Sequence, residues 1–206
     1  MLTKLKQKFQ AYTASVAKAA HRAGLTPNRV SAIGIVFAFL SAFAFWEWQL
    51  FNQILLVVAP IFLLISGFFD ALDGVVARLY GQTTMFGGFL DSLLDRYADA
   101  VVFVGIILGG LCKHFELGLA AGLAALIGSL LVSYTRARGE AAGVKMEAVG
   151  FAERAERIII LATASFVRIA WIEALDWAII ILAILTNLTV LQRAYYFYKA
   201  SKKKQE

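Results

Sequence analysis

The chain has 206 residues, 60% of them hydrophobic and 17% charged, with a formal net charge of +6 and a mean hydropathy of +0.72. Soluble domains run nearer about 45–50% apolar and about 25% charged, so a soluble enzyme, a disordered chain and a fibrous repeat are excluded. Cys112 is the single cysteine, which rules out an internal disulfide and a cysteine metal site. The class is an all-α integral membrane protein.

In chain order, residues 1–25 come first. Leu2, Leu5, Phe9, Tyr12 and Val16 recur at three- and four-residue steps, with Lys4, Lys6, Lys8, Lys18 and Arg22 between them. The pattern predicts an amphipathic helix lying in an anionic membrane interface; a solvated helix packed on a partner chain is the alternative. No continuous apolar core marks a signal peptide. Thr26-Pro27-Asn28 then breaks the chain.

Uncharged runs follow at Val30–Trp46, Leu50–Phe69, Ala100–Cys112, Leu117–Thr135, Ile158–Val167 and Trp177–Gln192. A helix crossing the hydrocarbon core needs about 17–25 residues. The third and fifth runs reach that length only if charged residues at one end join the same helix. The expectation is six transmembrane helices at about 30–49, 53–79, 87–112, 117–139, 151–171 and 175–199, forming a single domain over residues 1–206. Both termini then share one side, and of the 20 Lys and Arg only Lys113 and Arg168 fall on the other. That asymmetry marks the cytoplasmic face. Trp46, Trp48, Trp171 and Trp177 all sit at the opposite helix ends, as an aromatic belt requires. The basic tail with Lys202–Lys204 reads as a juxtamembrane anchor. The location expected is the cell membrane, multi-pass.

Ionisable residues inside a span are costly and are functional by default. Asp70 and Asp73 stand three apart near the inner end of the second helix, and Asp91 and Asp95 stand four apart on the third, with Asp99 continuing the stripe. Residues at these spacings share a helix face, and a short loop makes the two helices antiparallel neighbours. Four carboxylates so placed cannot all stay ionised alone. Oxygen-only ligands favour a hard divalent ion, Mg²⁺ or Mn²⁺; pairing with arginines such as Arg78 and Arg96 is the other way to satisfy them. Gly74, Ala77, Gly87 and Gly88 leave this helix pair without bulk, so a large ligand can approach the backbone. Small residues at Gly105/Gly109 and Gly118/Gly122 have helix-contact spacing. Arg78 is a fixed cation suited to phosphate.

Asp70-x2-Asp73-Gly74-x2-Ala77-Arg78-x8-Gly87-x3-Asp91-x3-Asp95 resembles the complete signature of the CDP-alcohol phosphotransferases, with all eight fixed positions at the family spacing. The resemblance implies attack by an acceptor hydroxyl on the phosphate of a CDP-alcohol, usually a CDP-lipid, with loss of CMP. It implies that Asp70, Asp73 and Asp91 hold one or two divalent ions, two being expected, with Asp95 at the second position and also acting as general base. Gly74 and Ala77 would line the cytidine site, Arg78 would hold the pyrophosphate, and Asn28 and Gly87 would complete the CDP site alongside Asp70 and Asp73.

Arg136, Arg138, Arg154, Arg157 and Arg193 fall around the cytoplasmic mouth, where the bland explanation is inside-positive topology with Glu–Arg pairing. Guanidinium groups also make a clamp for an anionic acceptor. The stretches 90–99, 133–143 and 150–157 further resemble the branch of the family that uses inositol 1-phosphate, the phosphatidylinositol-phosphate and archaetidylinositol-phosphate synthases. That likeness implies acceptor-phosphate binding at those five arginines. Glycerol 3-phosphate, serine or another alcohol remain alternative acceptors, and CDP-diacylglycerol and CDP-archaeol remain alternative donors. A homodimer is implied by the family; no nucleic-acid partner is expected. A divalent-cation transporter is the non-enzymatic alternative. It needs acidic residues continuing outward, whereas the outer halves of the second and third helices are apolar from Ile54 to Phe69 and from Ala100 to Cys112.

Overall fold

A computed structural model describes residues 13–50, 54–146 and 149–202. Helix α1 occupies 13–22 of the described residues. It is followed by α2 Pro27–Trp46, α3 Ile54–Leu79, α4 Met85–Leu108, α5 Gly118–Ala141, α6 Arg154–Val167 and α7 Ala174–Lys202. The described residues contain no strand. Leu2, Leu5, Phe9 and Tyr12 of the expected interfacial helix lie outside them.

Several helix limits differ from expectation for local reasons. Pro27 starts α2 instead of breaking the chain before it, because a proline at the first helical position lacks only an N–H that would be unpaired anyway. Asn28 is therefore a helical residue. Helix α4 begins at Met85, where the Thr84 Oγ1 accepts a hydrogen bond of 2.9 Å from the Gly87 N–H. It stops at Leu108, four residues before the expected end, and Gly110 takes a φ of +66° just beyond.

The fifth expected span, α6, is the largest correction. It covers 154–167 instead of 151–171. Gly150 has a φ of +111°, a conformation that favours glycine, and turns follow Val167. Its 14 residues extend about 21 Å at 1.5 Å per residue, short of a hydrocarbon core of about 30 Å. Among the described residues four helices, α2, α3, α5 and α7, are long and apolar enough to cross a membrane.

Helix α2 packs between α3 and α4, α5 packs along α7, and α6 fits between α3 and α7. The main core joins Phe45, Phe103, Ile106, Leu161, Ile179 and Leu182. Gly105 and Gly109 let α4 approach the backbone of α2, where an added Cβ would run into the carbonyls of Ala42 and Phe45. Gly118 and Gly122 meet Cys112 and Ile107. All four glycines thus serve contacts within the chain. Ile54, Val57, Ile61 and Leu64 turn outward along α3, the arrangement a lipid-facing surface requires.

Lys113 and Arg168 lie at the helix ends that carry the tryptophans, and the other described basic residues lie in the opposite halves of the long helices or beyond them. At the basic end Ala17 of α1 is buried with Val30, Leu72 and Val76. His21 stacks on Tyr80 at 3.6 Å. The described part of α1 is thus docked on α2 and α3 of its own chain.

Candidate active site

Three helices build the acidic centre. The last turns of α3 carry Asp70 and Asp73, α4 carries Asp91 and Asp95 in its first half and Asp99 just past its midpoint, and the first turns of α2 carry Asn28 and Ser31. Helical spacing turns the acids of α3 and α4 toward a common gap, lined by Ser31, Asp70, Asp73, Asp91 and Asp95. One carboxylate oxygen from each of Asp70, Asp91 and Asp95 lies within 4.8 Å of the others. Asp73 is buried beside them and accepts a hydrogen bond from the Ser31 hydroxyl. Hard oxygen donors converging from two helices fit Mg²⁺ or Mn²⁺ and offer nothing to a softer metal.

Arginines from α6 reach the same acids. Arg154 pairs through Nη1 with Asp70 and, at 2.6 Å, with Asp95, and through Nε with Asp99 at 3.3 Å. Arg157 is buried, holding Asp99 and the carbonyl oxygen of Ala152. Two of the five arginines expected at the acceptor site, Arg154 and Arg157, are thus engaged with aspartates, and Arg154 pairs directly with two members of the carboxylate set.

Two cavities flank this centre. The first, about 180 Å³, is lined by Asn28, Asp73, Gly74, Ala77, Arg78 and Gly87, together with Ser31, Asp91 and the 82–84 loop. Every residue expected to hold the CDP group except Asp70 lines it. Arg78 folds back over Gly74, whose added Cβ would lie 3.1 Å from Nη1. We therefore expect Gly74→Val to raise the KM for the CDP donor about tenfold, a loss of about 1.4 kcal/mol, while the melting temperature holds, because the displaced group is the mobile end of a side chain. An unchanged KM would remove Gly74 from the donor site.

The second cavity, about 440 Å³, is lined by Asp91 and Asp95 on one side and by Ser133, Arg136, Arg154, Arg157 and Arg193 on the other. Arg136 also pairs with Glu140 one turn on, at 3.1 Å. Arg193 is 2% exposed; its Nε donates to the Val149 carbonyl at 2.8 Å and its Nη1 to that of Val132. Arg138 is exposed and does not line the cavity, because a residue two positions from Arg136 on a helix faces away from it.

Sequence reasoning passed over Ser31 and Arg96 as members of the site. Arg96 also lines the second cavity. Ser31 stands three residues after Asn28, a same-face spacing that becomes visible once Pro27 is taken as the helix start.

Comparison with known proteins adds the family context. The CDP-alcohol phosphatidyltransferase family model matches residues 24–197. The archaetidylinositol phosphate synthase of Pyrococcus horikoshii is 41% identical over 195 residues, covering 95% of each chain. The crystal structure of Mycobacterium tuberculosis phosphatidylinositol phosphate synthase in complex with manganese and citrate superposes with a TM-score of 0.79 at 31% identity, over 90% of this chain and 88% of that one. The same M. tuberculosis enzyme with CDP-DAG bound gives 0.78 at 31% identity, over 90% and 93%.

Proposed function

This chain belongs to the CDP-alcohol phosphatidyltransferase family, and from that premise we propose that it transfers the phospho-lipid group of a CDP-lipid to a hydroxyl of inositol 1-phosphate, releasing CMP. The observation that carries the reading is the pair of cavities sharing Asp91, one lined by the signature residues and the other by arginines. A nucleotide donor and an anionic acceptor would meet there across the aspartates. Relatives named for inositol-phosphate products, and a structural neighbour that holds CDP-DAG, support the choice of substrates. CDP-diacylglycerol and CDP-archaeol present the same CDP group to this site.

In this reading Arg78 and the small side chains of Gly74, Ala77 and Gly87 seat the CDP group, with Asn28 at its rim. Arg136 and Arg193 seat the acceptor phosphate, with Arg154, Arg157 and Ser133 beside them. Asp95 takes the proton of the acceptor hydroxyl. That oxygen bonds to the lipid-bearing phosphorus, the bond from phosphorus to the CMP oxygen breaks, and CMP leaves with the electron pair. Mg²⁺ or Mn²⁺ on Asp70, Asp73, Asp91 and Asp95, two ions in our reading, supplies neutralisation of the diphosphate charge; manganese in the structural neighbour supports this metal chemistry. The aspartates, fixed on packed helices, need little rearrangement as charge develops.

The membrane arrangement belongs to the same reading: one domain, six crossings, an interfacial N-terminal helix, and both termini and the active site on the cytoplasmic side of the cell membrane. Helix α4 runs between the ends of two apolar spans, α3 and α5, and α6 with its flanks runs between α5 and α7. In this reading each returns the chain across the layer. The basic ends of the helices fit the cytoplasmic face. A homodimer is included by family analogy.

The test is CMP release by the purified chain with Mg²⁺, both CDP-lipids in turn, and inositol 1-phosphate, free inositol, glycerol 3-phosphate or serine. Release is expected with inositol 1-phosphate, and Arg136→Ala should raise the KM for that acceptor about tenfold without altering the KM for the donor. Release with another acceptor alone would overturn the acceptor assignment. Silence with all four would overturn the reaction.

A further inference from the structure

Arg154 opens helix α6 and is, among the described residues, the one guanidinium that pairs with Asp70 and Asp95 and also lines the 440 Å³ cavity. Its Nη1 binds Asp70 and Asp95 together, through one oxygen of each. Those two residues, with Asp91, form the carboxylate set able to hold a cation. A hard divalent ion binds through carboxylate oxygens, and two of the three carboxylates of that set are the ones Arg154 pairs with, so the ion and the guanidinium tip compete for them. The other end of the group is tied differently: Nε pairs with Asp99, which Arg157 also holds, and Asp99 is outside that carboxylate set.

We infer that Arg154 is a displaceable counter-ion, which fills the cation place when no metal is bound and is turned into the 440 Å³ cavity when metal arrives. Nε–Asp99 is the pivot and the Nη groups are the part that moves. Once freed from Asp70 and Asp95, the fork faces a cavity already lined by Arg136 and Arg193 and completes a site for a phosphate group. Metal binding therefore strengthens binding of the anionic acceptor, and the anion strengthens metal binding by the same factor, as linkage requires. The inference rests on the two-substrate reading above, yet it concerns binding alone.

The experiment follows Mn²⁺ binding to the purified chain by the electron paramagnetic resonance signal of the free ion, without donor or acceptor. Removing the competitor in Arg154→Gln should lower the Kd for Mn²⁺ about tenfold. Arg154→Lys, whose single ammonium cannot span the three aspartates, should fall between that variant and wild type, and it carries the comparison if the Gln variant does not fold. A Kd that is unchanged or raised in the folded variant overturns the inference. In wild type, inorganic phosphate should bind about tenfold tighter with saturating Mn²⁺ than without it, and this gain should vanish in the variants that free the metal place. A gain that persists in them means the ion itself holds the phosphate, and overturns the displacement. Failure of CMP release would reject the proposed function and leave these binding results standing, so the two failures are separable.

Discussion

Asp95→Asn is expected to reduce CMP release about 10²–10⁴-fold, the range typical of a positioned general base, with little change in the KM for the CDP-lipid. Asp95 lines the gap between the acids and the acceptor cavity, and it is absent from the lining of the donor cavity. An amide of the same size keeps the packing but cannot take a proton, and it is a poorer partner for Arg154, which Asp95 meets at 2.6 Å. The same change also removes one carboxylate from the cation set, so base and ligand roles need separate readouts. Loss of the base leaves the acceptor hydroxyl to ionise unaided, so the residual rate of the variant should climb with pH beyond the point where wild type levels off. Loss of a ligand alone would instead be corrected by raising Mg²⁺ or Mn²⁺, with the wild-type pH profile retained. A variant with wild-type turnover at ordinary metal concentration would remove Asp95 from the chemistry.

The acidic centre was legible because it is local. Four aspartates on two consecutive helices need only the helical period and a short connection to converge, and Asp70, Asp91 and Asp95 do come together. The donor cavity was legible for the same reason: Gly74, Ala77 and Arg78 share the turns that carry the acids. The arginines were not. Arg154 lies 59 residues from Asp95 along the chain, and only the packing of α6 against α3 brings it onto the acids. A basic residue at the basic end of a span looks alike whether it faces an acceptor, a carboxylate or water. Helical geometry could have separated Arg136 from Arg138, since residues two apart diverge; position at the mouth hid that distinction.

Helix limits failed where backbone chemistry overrode hydropathy. Pro27 reads as a breaker until its place at the first helical position is recognised. Residues 149–153, of which only Glu153 is charged, lie outside any helix and bend at Gly150, so α6 starts at Arg154 and its guanidinium enters from a helix end. The expected span counts residues 151–153 toward the helix because a hydropathy pattern has no access to the φ of +111° at Gly150. The short α6 is what sets Arg154 and Arg157 one turn apart facing Asp99.

At the tryptophan end the sequence shows two outlying basic residues, Lys113 and Arg168, and the structure joins the second to an acid. Arg168 Nη1 meets Asp176 Oδ2 at 3.3 Å, with both side chains almost wholly buried. Asp176 also accepts from the His114 N–H at 3.1 Å. Arg168 donates to the Ile172 carbonyl and stands over the Trp48 ring at 5.6 Å, while the Trp48 indole N–H donates to the Gly109 carbonyl at 2.8 Å. One buried pair therefore ties the α4–α5 connection, the end of α6, the start of α7 and the turn after α2. Asp176→Ala strands a buried guanidinium and an amide together, and breaking a buried pair from one side costs about 3–5 kcal/mol. We expect a clear fall in the thermal midpoint of the purified chain, with CMP release per folded molecule unchanged because the acids lie at the other end of the bundle. Asp176→Leu combined with Arg168→Met should recover most of the loss, since no charge is then left buried without its partner. A single variant that melts like wild type would show the pair to be well hydrated. A double variant as unstable as the single one would put the contribution in the Ile172, His114 and Trp48 contacts instead of in the charges.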